Sequence, residues 1–165
     1  MAIDRVPLPD EIPGRLYATG FTDVGPDPDA ALAEVRADTL LCLLTDEDIA
    51  LRFPRFTHWL EANAASGRAW RFPIEDGGVA DDDAMAGMVA GLVDQLRRGR
   101  GVITHCGAGI GRTSLACGLA VVALSGRPLD VALAEVRAAR SGAGPENPYQ
   151  RAHLERLAAR LREAS

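Results

Sequence analysis

The chain has 165 residues, of which 47% are hydrophobic and 25% charged, and its formal net charge is −5. A chain of this length can bury one core, so we expect a single domain over residues 1–165. The acidic balance argues against a general nucleic-acid or membrane-surface binder, and no run of about 18 apolar residues predicts a membrane span.

All 18 basic residues are arginine, a bias that indicates a high-GC bacterial source. Cys42, Cys106 and Cys117 are odd in number and widely spaced, a pattern typical of neither a disulfide framework nor a zinc site. The first residues lack the apolar core of a signal peptide. We therefore expect a cytoplasmic protein, and we expect it to be a monomer.

Apolar runs separated by glycines and prolines predict the elements in chain order. Residues 1–13 contain three prolines and are predicted to form an irregular arm, and residues 20–29 a loop. Strands are predicted at 16–19, 40–44, 69–74 and 101–105, and helices at 30–37, 56–65, 84–98, 113–124, 129–140 and 148–162, with a short helix opening at 46. Strands that alternate with helices predict an α/β fold, with a mostly parallel sheet of about four to five strands flanked by helices.

One stretch combines a buried strand, a tight glycine-rich loop and the start of an apolar helix. Its residues are, in order, Val102, Ile103, Thr104, His105, Cys106, Gly107, Ala108, Gly109, Ile110, Gly111, Arg112, Thr113 and Ser114. Glycines let the backbone turn its N–H groups inward, and the helix that follows adds unpaired N–H groups and the positive end of its dipole. The stretch therefore predicts a cradle for a phosphate-like dianion.

The chemistry-bearing side chains stand at the two ends of this loop. A field that attracts phosphate also favours the thiolate of Cys106, which makes that thiol a nucleophile. Arg112 can hold two phosphate oxygens with its planar fork. Thr113 offers a hydroxyl to the Cys106 sulfur, and we expect His105 to hydrogen-bond the loop backbone rather than act as a base.

A His-Cys pair followed by five residues and Arg-Thr resembles the signature of the cysteine-dependent protein tyrosine phosphatases, and the short chain resembles their dual-specificity branch. The stretch Pro73-Ile74-Glu75-Asp76-Gly77-Gly78, and the segment from Ile12 to Gly20, are most similar to the kinase-associated phosphatase group. The likeness extends from about residue 12 to residue 157.

This resemblance implies a hydrolase that needs no metal and no cofactor. Phosphate, sulfate or vanadate would bind the phosphate loop formed by Gly107, Ala108, Gly109, Ile110, Gly111 and Arg112. The substrate would be a phosphorylated protein or peptide. Asp76 matches the family's general acid, and its Asp-Gly-Gly context suits a mobile loop that protonates a leaving oxygen.

Other acidic residues compete with Asp76 for this role. Asp81, Asp82 and Asp83 precede a predicted helix, where acidic residues commonly cap and balance the dipole. Glu75 is a further candidate, and Asp76 itself could be only a turn residue.

Several other residues keep more than one interpretation. Arg137 and Arg140 could balance a helix dipole or form a basic rim, and Gln150 could place a hydrolytic water, as a late glutamine does in related phosphatases. Cys42 and Cys117 are predicted core thiols, although either could form a disulfide with Cys106. A binding module with little turnover, and a phosphatase of a non-protein phosphomonoester, remain alternatives.

Overall fold

The computed structural model describes residues 2–164, which form five strands and eight helices. The strands are β1 (Asp4–Val6), β2 (Arg15–Gly20), β3 (Thr39–Cys42), β4 (Ala69–Arg71) and β5 (Gly101–Cys106). The helices are α1 (Phe21–Val24), α2 (Pro28–Val35), α3 (Asp46–Arg52), α4 (Phe56–Ala64), α5 (Asp82–Arg97), α6 (Gly111–Ser125), α7 (Leu129–Ala139) and α8 (Pro148–Glu163).

The sheet has the strand order β1-β2-β5-β3-β4. Strands β2, β5, β3 and β4 run parallel, and only β1 is antiparallel to its neighbour. This architecture confirms the predicted α/β fold with a mostly parallel sheet. Because the central strands are parallel, Gly20 of β2 and Cys42 of β3 lie opposite Cys106 and His105 of β5 at one edge of the sheet.

Strand β5 and helix α6 form the centre of the molecule. All six residues of β5 are buried, as expected for a parallel strand with helices on both faces. Thirteen of the 15 residues of α6 are also buried, and α5, α7 and α8 pack around this helix. The loop between β5 and α6 is therefore anchored at both ends by the most buried elements of the fold.

The structure differs from the sequence predictions in two places near the N-terminus. Within the arm predicted as irregular, Asp4–Val6 pairs with β2 as a short edge strand, which Pro7 ends because proline cannot donate to the ladder. Within the predicted loop over 20–29, Phe21–Val24 forms α1, and Phe21 is buried. Four residues between two glycines are too few to show a helical period. Within residues 2–164 no helix is long and apolar enough to cross a membrane.

Candidate active site

The backbone carbonyl groups of the loop after β5 accept hydrogen bonds from residues that lie outside the loop. Gly107 O accepts a hydrogen bond from Phe21 N at 2.8 Å. Arg140 donates to Ala108 O at 2.6 Å and to Gly109 O at 2.9 Å, and Ile110 O accepts from Ser114 N at 3.2 Å. In a trans peptide the carbonyl of one residue and the N–H of the next point in opposite directions. The N–H groups of residues 108–111 therefore point away from these external partners, as an anion cradle requires.

Glycine is required at two positions where the backbone approaches this loop. Gly109 has a φ of +75°, and a Cβ there would collide with the Thr19 carbonyl group. A Cβ on Gly20 would lie 2.9 Å from Gly107 O. Side chains at either position would push β2 away from the loop and disturb the carbonyl contacts that orient it.

Cys106 ends β5 with its side chain almost fully buried. Thr113, in the first turn of α6, donates a hydrogen bond from Oγ1 to Cys106 Sγ across 3.0 Å. The hydroxyl of Ser114 instead bonds Gly111 O at 2.7 Å, so the two neighbouring hydroxyls serve different partners. The predicted contact between Thr113 and the thiol is present in the structure.

The side chain of Arg112 is only 4% exposed, and buried contacts hold it in one orientation. Its Nη1 donates to Asp48 Oδ2 at 2.8 Å and to Ile74 O at 2.7 Å. Burial alone would lower the pKa of Arg112, but the hydrogen bond and charge of Asp48 outweigh it and raise the pKa above its usual value. The guanidinium therefore stays charged beside the loop.

Asp48 is the site residue that sequence reasoning missed. It forms a capping box with Thr45 at the start of α3, and the same carboxylate binds Arg112. Burial would raise the pKa of Asp48, yet hydrogen bonds from Arg112 and Thr45 hold it below the usual range. Three consecutive acidic residues at 46–48 suit the start of a helix, and no local signal marks the third as a partner of Arg112.

Asp76 lies on the loop that connects β4 to α5 and approaches Nη2 of Arg112, whereas the buried contacts of this guanidinium are made by Nη1. Its Oδ1 is 3.6 Å from Arg112 Nη2, and 78% of the Asp76 side chain is exposed. The structure thus brings Asp76, Arg112 and the loop that starts at Cys106 together, as predicted.

The comparisons with known proteins agree with this geometry. The family described as "PTP-SAK: Swiss Army Knife protein, DSP-PTPase phosphatase domain" matches residues 12–156. The chain belongs to this phosphatase family. No curated protein matches the chain.

Solved phosphatase structures share the fold at low sequence identity. Kinase-associated phosphatase, solved with a serine in place of its catalytic cysteine, is 22% identical with a TM-score of 0.77, covering 96% of this chain and 94% of that one. A variant of human DUSP28 is 19% identical with a TM-score of 0.74, covering 100% and 99%. Tk-PTP in its active form is 20% identical with a TM-score of 0.71, covering 96% and 97%. At such identities these likenesses show the fold of the phosphatase domain.

The rival acids of the phosphatase domain have structural partners away from Arg112. Asp81 caps α5 by accepting a hydrogen bond from Ala84 N at 3.1 Å. Asp82 pairs with Arg156, and Asp83 pairs with Arg160 at 2.8 Å. These contacts favour the helix-start interpretation of all three residues. Glu75 is exposed, and its carbonyl accepts the turn hydrogen bond from Gly78 N.

His105 lies fully buried beneath the phosphate loop. Its Nδ1 is 3.3 Å from Cys106 O, and because a carbonyl only accepts, this nitrogen carries the proton. The ring stacks on Phe21 and meets Phe56 edge-on. Burial lowers the pKa of His105 to about 4, so the imidazole is neutral near pH 7 and its geometry fits the predicted backbone contact.

Arg140 and Gln150 have specific structural partners, whereas Arg137 is an exposed residue of α7. Arg140 bonds the loop carbonyls described above and pairs with Asp4 of β1 at 2.9 Å. Gln150 is fully buried, and both ends of its amide bond backbone groups outside the phosphate loop. In the described residues Arg140 thus contacts the phosphate loop, and Gln150 contacts the start of α8 and Gly78.

All three cysteines are free thiols. Cys42 and Cys117 are buried, and burial raises the pKa of each to about 12. Both therefore fit the predicted role of inert core thiols. Cys42 lies on β3 and Cys117 on α6.

Proposed function

We propose that this phosphatase hydrolyses phosphomonoesters on protein tyrosine, serine or threonine residues through a cysteinyl-phosphate intermediate. The observation that supports it best is the assembly at the sheet edge. A buried thiol stands at the mouth of a loop whose carbonyls are bonded outward, and a charged guanidinium is fixed beside it. This arrangement suits a nucleophile and a trigonal set of phosphoryl oxygens.

In the first step the Cys106 thiolate would attack phosphorus as the bond to the leaving oxygen breaks. The N–H groups of residues 107–112 would stabilise the equatorial oxygens together with Arg112. Because Nη1 of Arg112 is used by Asp48 and Ile74, the phosphate would meet the other side of the guanidinium. Asp76, exposed at the rim, would give its proton to the leaving alkoxide or phenoxide.

In the second step a water molecule would attack the phosphocysteine. Ionised Asp76 would accept a proton from this water, the S–P bond would break, and inorganic phosphate would leave with the thiolate restored. The Thr113 hydroxyl, 3.0 Å from Cys106 Sγ, would stabilise the departing sulfur anion. No step requires a metal ion or a cofactor.

The proposed substrate is a phosphorylated protein or peptide. The five residues between Cys106 and Arg112 carry no charged side chain, which is poorly suited to a highly charged head group. One structural neighbour, PTPMT1, was solved in complex with PI(5)P at 14% identity. A phosphoinositide is therefore the main non-protein alternative to a phosphoprotein substrate.

We propose that the chain falls in the kinase-associated phosphatase group of the superfamily. The Asp76-Gly77-Gly78 context and the TM-score of 0.77 to kinase-associated phosphatase support this placement. The family match over residues 12–156 supports one phosphatase domain over residues 1–165. A cytoplasmic, bacterial and monomeric protein is part of the same proposal.

The test compares the hydrolysis of 4-nitrophenyl phosphate and phenyl phosphate by wild type, Cys106→Ser and Asp76→Asn. We expect no turnover by the serine variant, because its hydroxyl is a far weaker nucleophile. The Asp76 variant should lose on the order of 100-fold in kcat on phenyl phosphate, whose leaving group needs the proton. Asp83→Asn, which removes an exposed acid from the same segment, is the matched control and should retain wild-type rates.

A wild-type protein that binds vanadate but turns over no more substrate than Cys106→Ser would instead be a phosphate-dependent binding module. Vanadate should inhibit the enzyme and EDTA should not, and loss of activity in EDTA would contradict the metal-free steps. A panel of phosphotyrosine peptide, phosphoserine peptide, PI(5)P and a nucleoside monophosphate identifies the substrate class.

The two-step scheme also predicts a bell-shaped pH dependence of kcat/KM with an acidic optimum. Cys106 must be ionised while Asp76 is protonated, and these requirements overlap only in a limited range. An alkyl phosphate should show the profile most clearly because its leaving group depends most on the acid. A flat profile from pH 5 to pH 8 on such a substrate would contradict the assignment of Asp76.

A further inference from the structure

The loop that carries Asp76 is attached to the start of α8 by two side-chain amides. Asn147 Nδ2 donates to Gly77 O at 2.7 Å, and Gln150 Nε2 donates to Gly78 O at 3.1 Å. These acceptors are the carbonyls of the two residues that directly follow Asp76. The contacts therefore determine where the backbone of the proposed acid lies.

The orientation of each amide follows from its partners. Asn147 Oδ1 accepts from Gln150 N at 2.9 Å, and Gln150 Oε1 accepts from Glu146 N at 2.8 Å. A backbone N–H only donates and a carbonyl only accepts, so the opposite orientation of either amide would leave two repulsive contacts. Both ends of both side chains are thus used.

Helix capping explains only half of this arrangement. An N-cap needs an acceptor for the N3 amide, and serine, threonine or aspartate supplies one as well as asparagine does. The Nδ2 group of Asn147 contributes nothing to the cap. Gln150 is fully buried, and burying an amide is costly unless both ends are hydrogen-bonded. The donor ends of both residues serve the Asp76 loop alone.

The same helix is fixed to the other half of the site. Helix α8 packs against α6, whose first turn carries Arg112 and Thr113. The amides therefore connect the Asp76 loop to the element that presents the phosphate-binding groups. Gly77, with φ +72°, leaves room for Asn147 beside the turn.

We propose that Asn147 and Gln150 are positioning residues that hold the Asp76 loop in register with the phosphate loop. The proposal rests on the proposed function of Asp76 as the general acid. Both residues act through the backbone of Gly77 and Gly78 and do not touch the reacting atoms. Their contribution is confined to the proton transfers of Asp76, first to the leaving oxygen and then from the attacking water.

Asn147→Asp separates positioning from capping. Aspartate keeps the cap acceptor for Gln150 N, but it loses the donor and places a carboxylate against Gly77 O. We expect kcat/KM, which reports the first step, to fall about 10-fold on phenyl phosphate and less than about 2-fold on 4-nitrophenyl phosphate, since an activated leaving group needs little acid catalysis. Vanadate affinity should not change, because the phosphate loop is intact.

A double-mutant cycle with Asp76→Asn tests whether the loss caused by Asn147→Asp is transmitted through Asp76. In the Asp76→Asn background, Asn147→Asp should cause no further loss on phenyl phosphate, because the acid it positions is absent. Gln150→Met, which removes the second donor while conserving volume, should show the same dependence on the leaving group. Thermal unfolding of each variant controls for loss of the fold. Arg151→Gln, in the same helix turn, is the matched control, because Arg151 pairs with Asp130 and Glu155 rather than with the Asp76 loop.

Equal losses on both phosphate esters, or additive losses with Asp76→Asn, would overturn the positioning role. An Asp76→Asn variant that is not slowed at all would contradict the proposed acid itself. The two failures are therefore distinguishable in one set of measurements.

Discussion

The two loops that meet at the site are held in different ways. The phosphate loop lies between the most buried strand and the most buried helix, and Arg140, Phe21 and Ser114 bond its carbonyls. The tip of the Asp76 loop is exposed, and two amides and one ion pair at 3.6 Å connect it to the rest of the site, while Arg112 also bonds Ile74 O at the buried base of the loop. Many contacts fix the conformation of the phosphate loop, whereas few contacts fix that of the Asp76 loop.

This difference matches what each step of phosphoryl transfer demands. Groups that stabilise charge in the transition state work best when they are fixed in advance. An acid that must let a bulky substrate in and then protonate its leaving group benefits from a loop that can move. Substitutions around the phosphate loop should therefore lower kcat/KM on every substrate, whereas substitutions around the Asp76 loop should lower kcat/KM mainly on substrates with poor leaving groups.

The largest effect we expect on the phosphate-loop side is a loss of stability in acid through His105. The unfolded chain protonates this histidine below about pH 6.5, whereas the folded pKa is about 4. Below pH 6.5 the unfolded state binds more protons, so the free energy of unfolding falls as the pH falls. The loss between pH 7.5 and pH 5 should be about 2 kcal/mol. His153, whose pKa burial also lowers, adds a loss of the same sign.

Urea unfolding of wild type and His105→Gln at pH 7.5 and pH 5 measures this loss. The variant should be less stable at pH 7.5 and should lose less free energy on acidification. His58→Gln, which removes an exposed histidine, is the matched control. If wild type and His105→Gln lost equal free energy of unfolding between pH 7.5 and pH 5, the assignment of this loss to His105 would be contradicted.

The next effect concerns the ion pair behind Arg112. Asp48→Asn removes the charge that orients the guanidinium, and we expect kcat/KM to fall on the order of 30-fold, or about 2 kcal/mol. The loss should be the same on 4-nitrophenyl and phenyl phosphate, because Arg112 binds the phosphoryl group of both. It should also be constant across the pH range of the assay, since the pKa of Asp48 is held below the usual range.

Asp46→Asn is the matched control for this prediction. Asp46 lies in the same first turn of α3, but it is exposed and pairs with Arg71 instead. Its substitution should leave kcat/KM near the wild-type value. A loss for Asp48→Asn that appears only on phenyl phosphate would place Asp48 with the acid loop and break the contrast between the two regions.

The parts of the site that the sequence predicts are local in the chain. The strand, the glycine-rich loop and the helix start are contiguous, so spacing alone places Cys106, Arg112 and Thr113. Asp76 is the preferred acid because a Gly-Gly pair after a strand suggests a loop and the resemblance to the phosphatases implies an acid there, while Glu75 and the acids at 81–83 are its rivals. The α/β fold likewise follows from the alternation of short apolar runs.

The supporting residues could not be predicted because their partners are distant in sequence. Asp48 and Arg112 are 64 positions apart, and Asn147 is 70 positions from Gly77. Each has a sufficient local interpretation, since Asp48 and Asn147 both cap helices. Periodicity and capping rules account for the local contact of each residue but not for its distant one. The contacts of Asp48 with Arg112 and of Asn147 with Gly77 are visible only once α3 and α8 are packed around the site.

The smallest effect we expect concerns Arg140, which braces the phosphate loop from outside. Arg140→Ala removes the donors to Ala108 O and Gly109 O, so the inward N–H groups should be less well ordered. We expect kcat/KM to fall about 10-fold and vanadate affinity to fall in parallel, corresponding to about 1.4 kcal/mol. Arg140→Lys should recover only part of the loss, because lysine lacks the planar fork that reaches both carbonyls.

Arg137→Ala, an exposed arginine one turn earlier on α7, is the control for the loss of positive charge. If Arg140 only attracted the substrate phosphate electrostatically, Arg137→Ala would cause a comparable loss and high salt would abolish both effects. A brace predicts the opposite result: Arg137→Ala is neutral, and the Arg140→Ala loss persists at high salt and is equal on activated and poor leaving groups. The salt dependence therefore decides whether the rigidity of the phosphate loop comes from contacts to its carbonyls.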